Sequence, residues 1–243
     1  MRIPRLRCTA LAEPGTRLAL DAEASHRILR VLRLAPGAEV VLFDGSGIEA
    51  RARLASLDPA GVDLEILERR PGLPPSPLRV TLVQGLARGE RMDYSIQKAV
   101  ELGVAAIQPL LTRYSQVRLR GERLERRLAH WRGIVVGACE QCGRSDIPPV
   151  HPLLPFDAWL EQTGTPGYYL DPAGRVPLAE AGDPPQSIDL LIGPEGGLAT
   201  EERERLQAAG WTGLRLGPRI LRTETAGIAA LAGMQLLWGD LGG

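Results

Sequence analysis

The stretch IGPEGG, residues 192–197, and the stretch LGPRILRTETAG, residues 216–227, decide how the rest of the chain is read. Before the first, the apolar and β-branched run 188–192 has the length of a buried strand; after it, 200–209 has helical character. Before the second, 214–216 is another short apolar stretch, and a helical pattern follows through 226–238. Two strand-to-helix turns rich in glycine and proline therefore belong at the carboxyl ends of strands in one sheet. In open α/β sheets, that is where ligands bind.

A chain of 243 residues is long enough to bury its own core, as one large domain or two. Aromatic residues make up only 4%, so Leu, Val, Ile and Ala must do the packing. The formal net charge is zero, yet residues 79–133 carry 11 basic against 5 acidic side chains, and 134–200 carry 2 against 9. A basic segment is one footprint of a phosphate-bearing partner; a solvated helix face over 120–132 is the equal alternative. Cys8, Cys139 and Cys142 are too few for a disulfide framework, and no N-terminal apolar run resembles a signal peptide. With no apolar window long enough to span a bilayer, a cytoplasmic protein is expected.

Working outward to the N-terminus, VVLFDGSG (40–47) reads as a strand entering a glycine turn, and IEARARL (48–54) and VDLEIL (62–67) as half-buried strands. Between them and the start, SHRILRVLRLAPG (25–37) reads as a short helix capped by Ser25. Arg2, Arg5, Arg7, Arg27, Arg30 and Arg33 give this β-rich unit a basic edge, read as RNA-facing in preference to simple solubility. PGLPPSPL (71–78), uncharged with four prolines, reads as a stiff linker. The boundary is placed there, between 1–72 and 73–243.

From Arg79 the periodicity changes. RVTLVQGL (79–86) is a strand, RGERMDYSIQKAVELG (88–103) a helix burying Met92, Ile96, Ala99 and Val100 with Gly103 at its end, and VAAIQPLL (104–111) the next strand. This βαβ unit predicts a parallel sheet. A longer helix over 122–141 carries Leu124, Leu128, Trp131 and Val135 on one face, and further strands fall at 167–171, 188–192 and 213–217. The last helix, with Ile228, Leu231, Met234, Leu236, Leu237 and Trp238, lacks a polar face. Such a helix is buried in a core or a subunit contact, so a homodimer is expected.

Cys139-Glu140-Gln141-Cys142 is a C-x-x-C without the second pair of a zinc ribbon, and is read as helix packing. His26, His130 and His151 are scattered, so no metal is expected. IGPEGG lacks the lysine and Ser/Thr of a P-loop and the spacing of a dinucleotide fingerprint. Gly193, Gly196 and Gly197 still let backbone amides approach a flat polar group such as adenine. Beside it, a loop bearing Arg219, Arg222 and Glu224 is a costly way to make a simple turn.

Taken together, IGPEGG, LGPRILRTETA, MDYSIQKAVELGV (92–104), ACEQCGR (138–144) and HRILRVLRLAPG with VLFDG resemble the RsmE family. Those bacterial enzymes methylate N3 of a uridine in 16S ribosomal RNA and belong to the SPOUT superfamily. The resemblance implies an α/β chain: an N-terminal PUA-like β-barrel for RNA and a C-terminal SPOUT-type domain with a deep trefoil knot. It also implies a homodimer acting on the small ribosomal subunit, with S-adenosylmethionine held in the knot. Carried onto this sequence, it assigns the cofactor to Leu170, Gly193, Pro194, Glu195, Gly196, Gly197, Leu216, Gly217, Ile220, Leu221 and Thr225. RNA contacts fall to Arg2, Arg5, Arg30, Arg33, Gln141 and Arg144. Asp171-Pro172 stands where family members often have His-Pro, which leaves a contact from Asp171 open.

Methylation at N3 requires loss of an imide proton. On the resemblance, Arg222 stabilises charge on the uracil oxygens, Glu195 or Glu224 accepts the proton, and Glu224 is read in preference as the partner that fixes Arg222. A SPOUT ribose 2′-O-methyltransferase and a non-catalytic RNA-binding dimer are the rival readings.

Overall fold

The computed structural model describes residues 3–58, 61–117, 119–164, 167–182 and 186–242, so Arg2 lies outside the described residues. Contacts divide the chain into two units, Met1–Pro74 with Val136–Ile147, and Pro75–Val135 with Pro148–Gly243. The first unit thus draws in 136–147, a segment that the sequence reading left with the second.

In the first unit, β1 (Arg5–Arg7), β2 (Arg17–Ala19), β3 (Glu39–Phe43), β4 (Ile48–Asp58) and β5 (Gly61–Pro71) form one sheet in the order β1-β3-β4-β5-β2. Alternation does what the sequence pattern requires: Ala50, Ala52 and Leu54 point into a core with Leu42, Leu64 and Ile66, while Arg51 and Arg53 face out. The helical stretch starts earlier than expected. Its first part, α1 (Ala22–His26), is capped by Asp21, whose carboxylate accepts from the Ala24 amide at 2.8 Å, whereas the Ser25 hydroxyl donates to the Leu20 carbonyl. Residues Arg27–Leu32 continue as a π-helix that ends at Arg33, left-handed at φ 50°.

Two of the arginines expected to face RNA do not. Arg5 donates to Glu49 Oε2 at 2.7 Å and to Ser145 Oγ at 2.8 Å, and its side chain is 9% exposed. Arg144 Nε donates to Asp146 Oδ1 at 3.1 Å, with its side chain 11% exposed. The Arg144 pair lies within 136–147 and the Arg5 pair within the sheet, and Arg5 joins the two by donating to Ser145 Oγ and to the Arg144 carbonyl. Arg30, Arg33 and Gln141 remain exposed.

In the second unit, β6 (Arg79–Gly85), β7 (Ala106–Leu111), β8 (Leu154–Pro155), β9 (Tyr168–Leu170), β10 (Val176–Pro177), β11 (Ser187–Ile192) and β12 (Thr212–Arg215) make one sheet. Every pairing is parallel, in the order β10-β12-β9-β11-β6-β7-β8. The helices are α2 (Glu90–Glu101), α4 (Phe156–Gln162), α5 (Thr200–Ala208) and α6 (Thr223–Trp238), together with α3 (Gly121–Cys142) up to Val135, its remainder belonging to the first unit. As its spacing predicts, α2 buries Met92, Ile96, Ala99 and Val100, and Gly103 beyond it takes φ 78°. Leu128, Trp131 and Val135 are the buried stripe of α3. The proline-rich 71–78 is no free linker, since Ser76 and Leu78 are buried and the Ser76 hydroxyl donates to Gln235 Oε1 at 2.6 Å.

The Glu49 cluster yields a stability prediction. Burial would raise the Glu49 carboxyl, but hydrogen bonds from Arg5 and Arg70 outweigh it and hold the carboxyl below its ordinary range. Its contribution is therefore complete above the unfolded Glu value of about 4.3 and is lost as pH falls through the lower folded value. In urea titrations, Glu49→Gln should cost about 3 kcal/mol near neutral pH, because it leaves Arg5 buried without a counter-charge. The gap from the unaltered protein should narrow on acidification.

Candidate active site

Three neighbouring strands, β12, β9 and β11, end at one cavity of about 500 Å³, a size suited to a nucleoside-scale ligand. Beyond β11 the chain turns through 193–197, closed by the Gly197 amide donating to the Pro194 carbonyl at 2.8 Å. Side chains have no room here: a Cβ on Gly193 would lie 2.9 Å from the Gly197 carbonyl carbon, and one on Gly85 of β6 2.7 Å from the Pro194 nitrogen. The loop exits into α5, where the Glu202 carboxylate accepts from the Ala199 amide at 2.9 Å and the Arg113 amide at 2.8 Å. This carboxylate reaching back to the helix start is half of a capping box.

The second wall is the loop after β12. It turns at Gly217, with φ 68°, leaves Ile220 86% exposed at the cavity's edge, and enters α6. There the buried Thr223 hydroxyl donates to the Gly193 carbonyl at 2.6 Å and accepts from Gln84 Nε2 at 3.1 Å. One side chain thus ties the two glycine loops together. The third wall is Leu170 and Asp171; Asp171 Oδ1 accepts from the Ala173 amide at 2.9 Å, and Oδ2 lies 4.0 Å from Arg203 Nε. Asp171 therefore shapes its own turn while also lining the cavity.

The electrostatics centre on Arg91 of α2, which the sequence reading did not single out. Its Nη1 donates to Glu195 Oε1 at 2.9 Å, and its Nε lies 3.9 Å from Glu224 Oε1. Burial pushes the Glu195 carboxyl up, but the Arg88 amide, its own amide and Arg91 outweigh this and hold it below the ordinary range. A carboxylate so stabilised is a weak proton acceptor. Among the described residues no ion pair joins Glu224 to Arg222, so Glu224 is turned to Arg91 rather than fixing Arg222 as expected. Glu224 Oε2 is buried with no hydrogen-bond partner among the described residues.

Of the residues proposed for the cofactor, Leu170, Gly193, Pro194, Glu195, Gly196, Gly197, Leu216, Gly217, Ile220 and Leu221 line this cavity, together with Arg222 and Glu224. Thr225 does not, and lines an adjoining groove instead. Gln84, Arg91 and Thr223 were missed. Their sequence neighbours read only as strand or helix, and nothing local announces a partner more than a hundred residues away in the cases of Arg91 with Glu195 and Gln84 with Thr223. Burial pushes the Cys139 thiol up to about 12, away from a reactive thiolate. Among the described residues no group of three or more His, Cys, Asp or Glu is placed to hold a metal ion, and no helix is long and apolar enough to cross a membrane.

The chain thus holds a parallel sheet with a glycine-lined cavity at its strand ends and a separate small β-rich unit. Residues 74–235 match the RNA methyltransferase domain family, and residues 20–67 the RNA methyltransferase PUA domain family. The fold and site are thus those of an RNA methyltransferase. A ribosomal RNA small subunit methyltransferase E of Buchnera aphidicola is 31% identical over 99% of this chain and 98% of its own. The crystal structure of the Neisseria gonorrhoeae ribosomal RNA small subunit methyltransferase E bound to S-adenosyl methionine superposes with a TM-score of 0.93 at 37% identity, covering 99% of this chain and all of that one. A Legionella pneumophila protein solved with bound SAM gives 0.95 at 36%, with the same coverage. The chain belongs to the ribosomal RNA small subunit methyltransferase E family.

Because Glu202 satisfies two backbone amides at the loop's exit, Glu202→Ala should cost about 2 kcal/mol in urea unfolding. Glu202→Gln, which keeps one acceptor oxygen, should recover about half of that loss.

Proposed function

We propose that this protein transfers a methyl group from S-adenosylmethionine to N3 of a uridine in 16S ribosomal RNA of the small subunit. The observation that carries the reading is the single cavity made when Thr223 ties the IGPEGG loop to the loop after β12. Its walls suit this cofactor. Backbone of 193–197 and the apolar Leu170, Ile192, Leu214 and Leu216 fit a flat adenine and ribose, and Glu195 and Glu224 complement a cation. Arg203 and Arg219 on the rim suit a carboxylate. No lysine lines the cavity to hold a triphosphate. When bound, the cofactor supplies an electrophilic methyl group on a sulfonium.

This chain's residues then have distinct tasks. Arg222, exposed at the cavity's edge, stabilises negative charge on the uracil oxygens as the N3 proton leaves. Glu224, with one carboxylate oxygen unengaged, accepts that proton, and Arg91 orients it. Glu195, already held by Arg88 and Arg91, shapes the loop instead.

The same reading includes a homodimer, in which Leu236 and Leu237 of α6, 61% and 48% exposed, are covered by a second copy. It includes RNA contacts from the first unit through the exposed Arg30, Arg33 and Gln141, a division near residue 72, and a cytoplasmic site of action. It also includes a trefoil knot. Supporting this, β12 lies between β9 and β10, and the turn 171–174 that joins those two strands crosses close over it, with Gly174 packed against Leu214 backbone.

Arg222→Ala should lower methyl transfer to small subunits about 100-fold or more while leaving cofactor affinity by calorimetry nearly unchanged; equal losses in both contradict the division of tasks. Nucleoside mapping of the product should give N3-methyluridine, and a 2′-O-methylated nucleoside would overturn the assignment. Glu224→Gln should lower kcat by about 100-fold with little change in KM.

A further inference from the structure

Arg91, Tyr94 and Gln97 recur every three residues along α2, which places them on one helix face. That face forms one side of a second groove of about 650 Å³, whose walls also include Arg222, Glu224 and Thr225. Three of these residues, Arg91, Arg222 and Glu224, line the cofactor-sized cavity as well, so the two spaces meet across them. Tyr94 lines this groove and not the cofactor-sized cavity. A core tyrosine would be covered, yet this ring is 49% exposed, with Lys98 Nζ 5.8 Å from its centroid.

The surroundings favour a nucleic-acid base over other occupants. Residues 79–133 hold 11 basic against 5 acidic side chains, and Arg127 and His130 of α3 both reach Asp93 on the groove wall, at 3.8 Å and 2.9 Å. An exposed aromatic ring offers a face on which any base can stack, and Arg91 and Arg222 stand on the same groove wall. The unengaged Glu224 oxygen is an acceptor at the boundary between the spaces, and an imide N–H is the donor that uracil alone of the RNA pyrimidines carries at N3.

We propose that this groove seats the flipped-out target uracil, with Tyr94 as its stacking platform and Glu224 facing N3 at the junction with the cofactor cavity. The inference rests on the methyl-transfer reading above. Extruding the base exposes its faces, and the tyrosine restores the stacking that the RNA gives up.

The test uses the full-length protein and small subunits from cells lacking this methylation. Methyl transfer, subunit binding without cofactor, and S-adenosylmethionine affinity are measured for the unaltered protein, Tyr94→Phe, Tyr94→Leu and Tyr94→Ala. Tyr94→Phe should stay within about twofold of the unaltered protein, whereas Tyr94→Leu and Tyr94→Ala should raise KM for subunits about tenfold or more. Cofactor affinity should be unchanged in all three, and Tyr94→Leu keeps side-chain bulk should the alanine variant fail to fold. Normal KM in Tyr94→Leu, beside normal transfer by the unaltered protein, overturns the groove alone. An equal loss of cofactor affinity assigns Tyr94 to the cofactor cavity and also overturns it. No transfer by the unaltered protein, with cofactor bound, overturns the reaction and this seat with it.

Discussion

The hydrogen bond from the Thr223 hydroxyl to the Gly193 carbonyl, at 2.6 Å, is the contact on which the site depends. Gly193 leaves the end of β11, and Thr223 opens α6 thirty residues later. Each loop alone is a turn; tied together they enclose a cavity. The tie is costly to break because the Thr223 hydroxyl is buried and would be left without its acceptor. Gln84, which donates to the same hydroxyl, carries the constraint into β6, the neighbour of the central strand β11. Two glycines are fixed by close backbone approach: Gly85 of β6 is pressed against Pro194, and Gly193 against 197–198 of its own loop, so no side chain fits at either.

Around that frame, charge is sorted rather than merely present. Arg91 stands between two carboxylates and treats them unequally, bonding Glu195 at 2.9 Å and lying 3.9 Å from Glu224. Glu195 also holds the Arg88 amide, so its charge is spent on fixing the loop. Glu224 keeps an oxygen unengaged and sits on the wall of both spaces. Two glutamates equivalent by sequence thus become a structural group and a chemical one through the reach of a single guanidinium. The same sorting in the first unit turned Arg5 and Arg144 inward, to Glu49 and Asp146.

Much of this was legible in the sequence because it depends on local periodicity. The strand at β11, the buried face of α2 and the alternation in β4 each follow from which side chains must leave water, and each lies where the pattern puts it. The two glycine loops were legible as a site because backbone approach needs glycine wherever it occurs. Other features depend on partners distant in the chain. Arg5 reads as a surface cation until Glu49 and Ser145 are brought to it, and Arg91 reads as one charge on a polar helix face until Glu195 arrives. The helix cap fell to Asp21 because its carboxylate reaches the Ala24 amide, while the Ser25 hydroxyl is buried against Leu20. Pairings of this kind carry no period.

The tie between the loops can be tested with one atom's worth of change. Thr223→Val keeps the shape of the side chain and removes only its hydroxyl, so the Gly193 carbonyl loses its donor. Measured by calorimetry on the folded protein, affinity for S-adenosylmethionine should fall by about tenfold, the worth of one hydrogen bond of about 1.4 kcal/mol. Unchanged affinity in a folded Thr223→Val protein would contradict the claim that this contact makes one cavity of two loops.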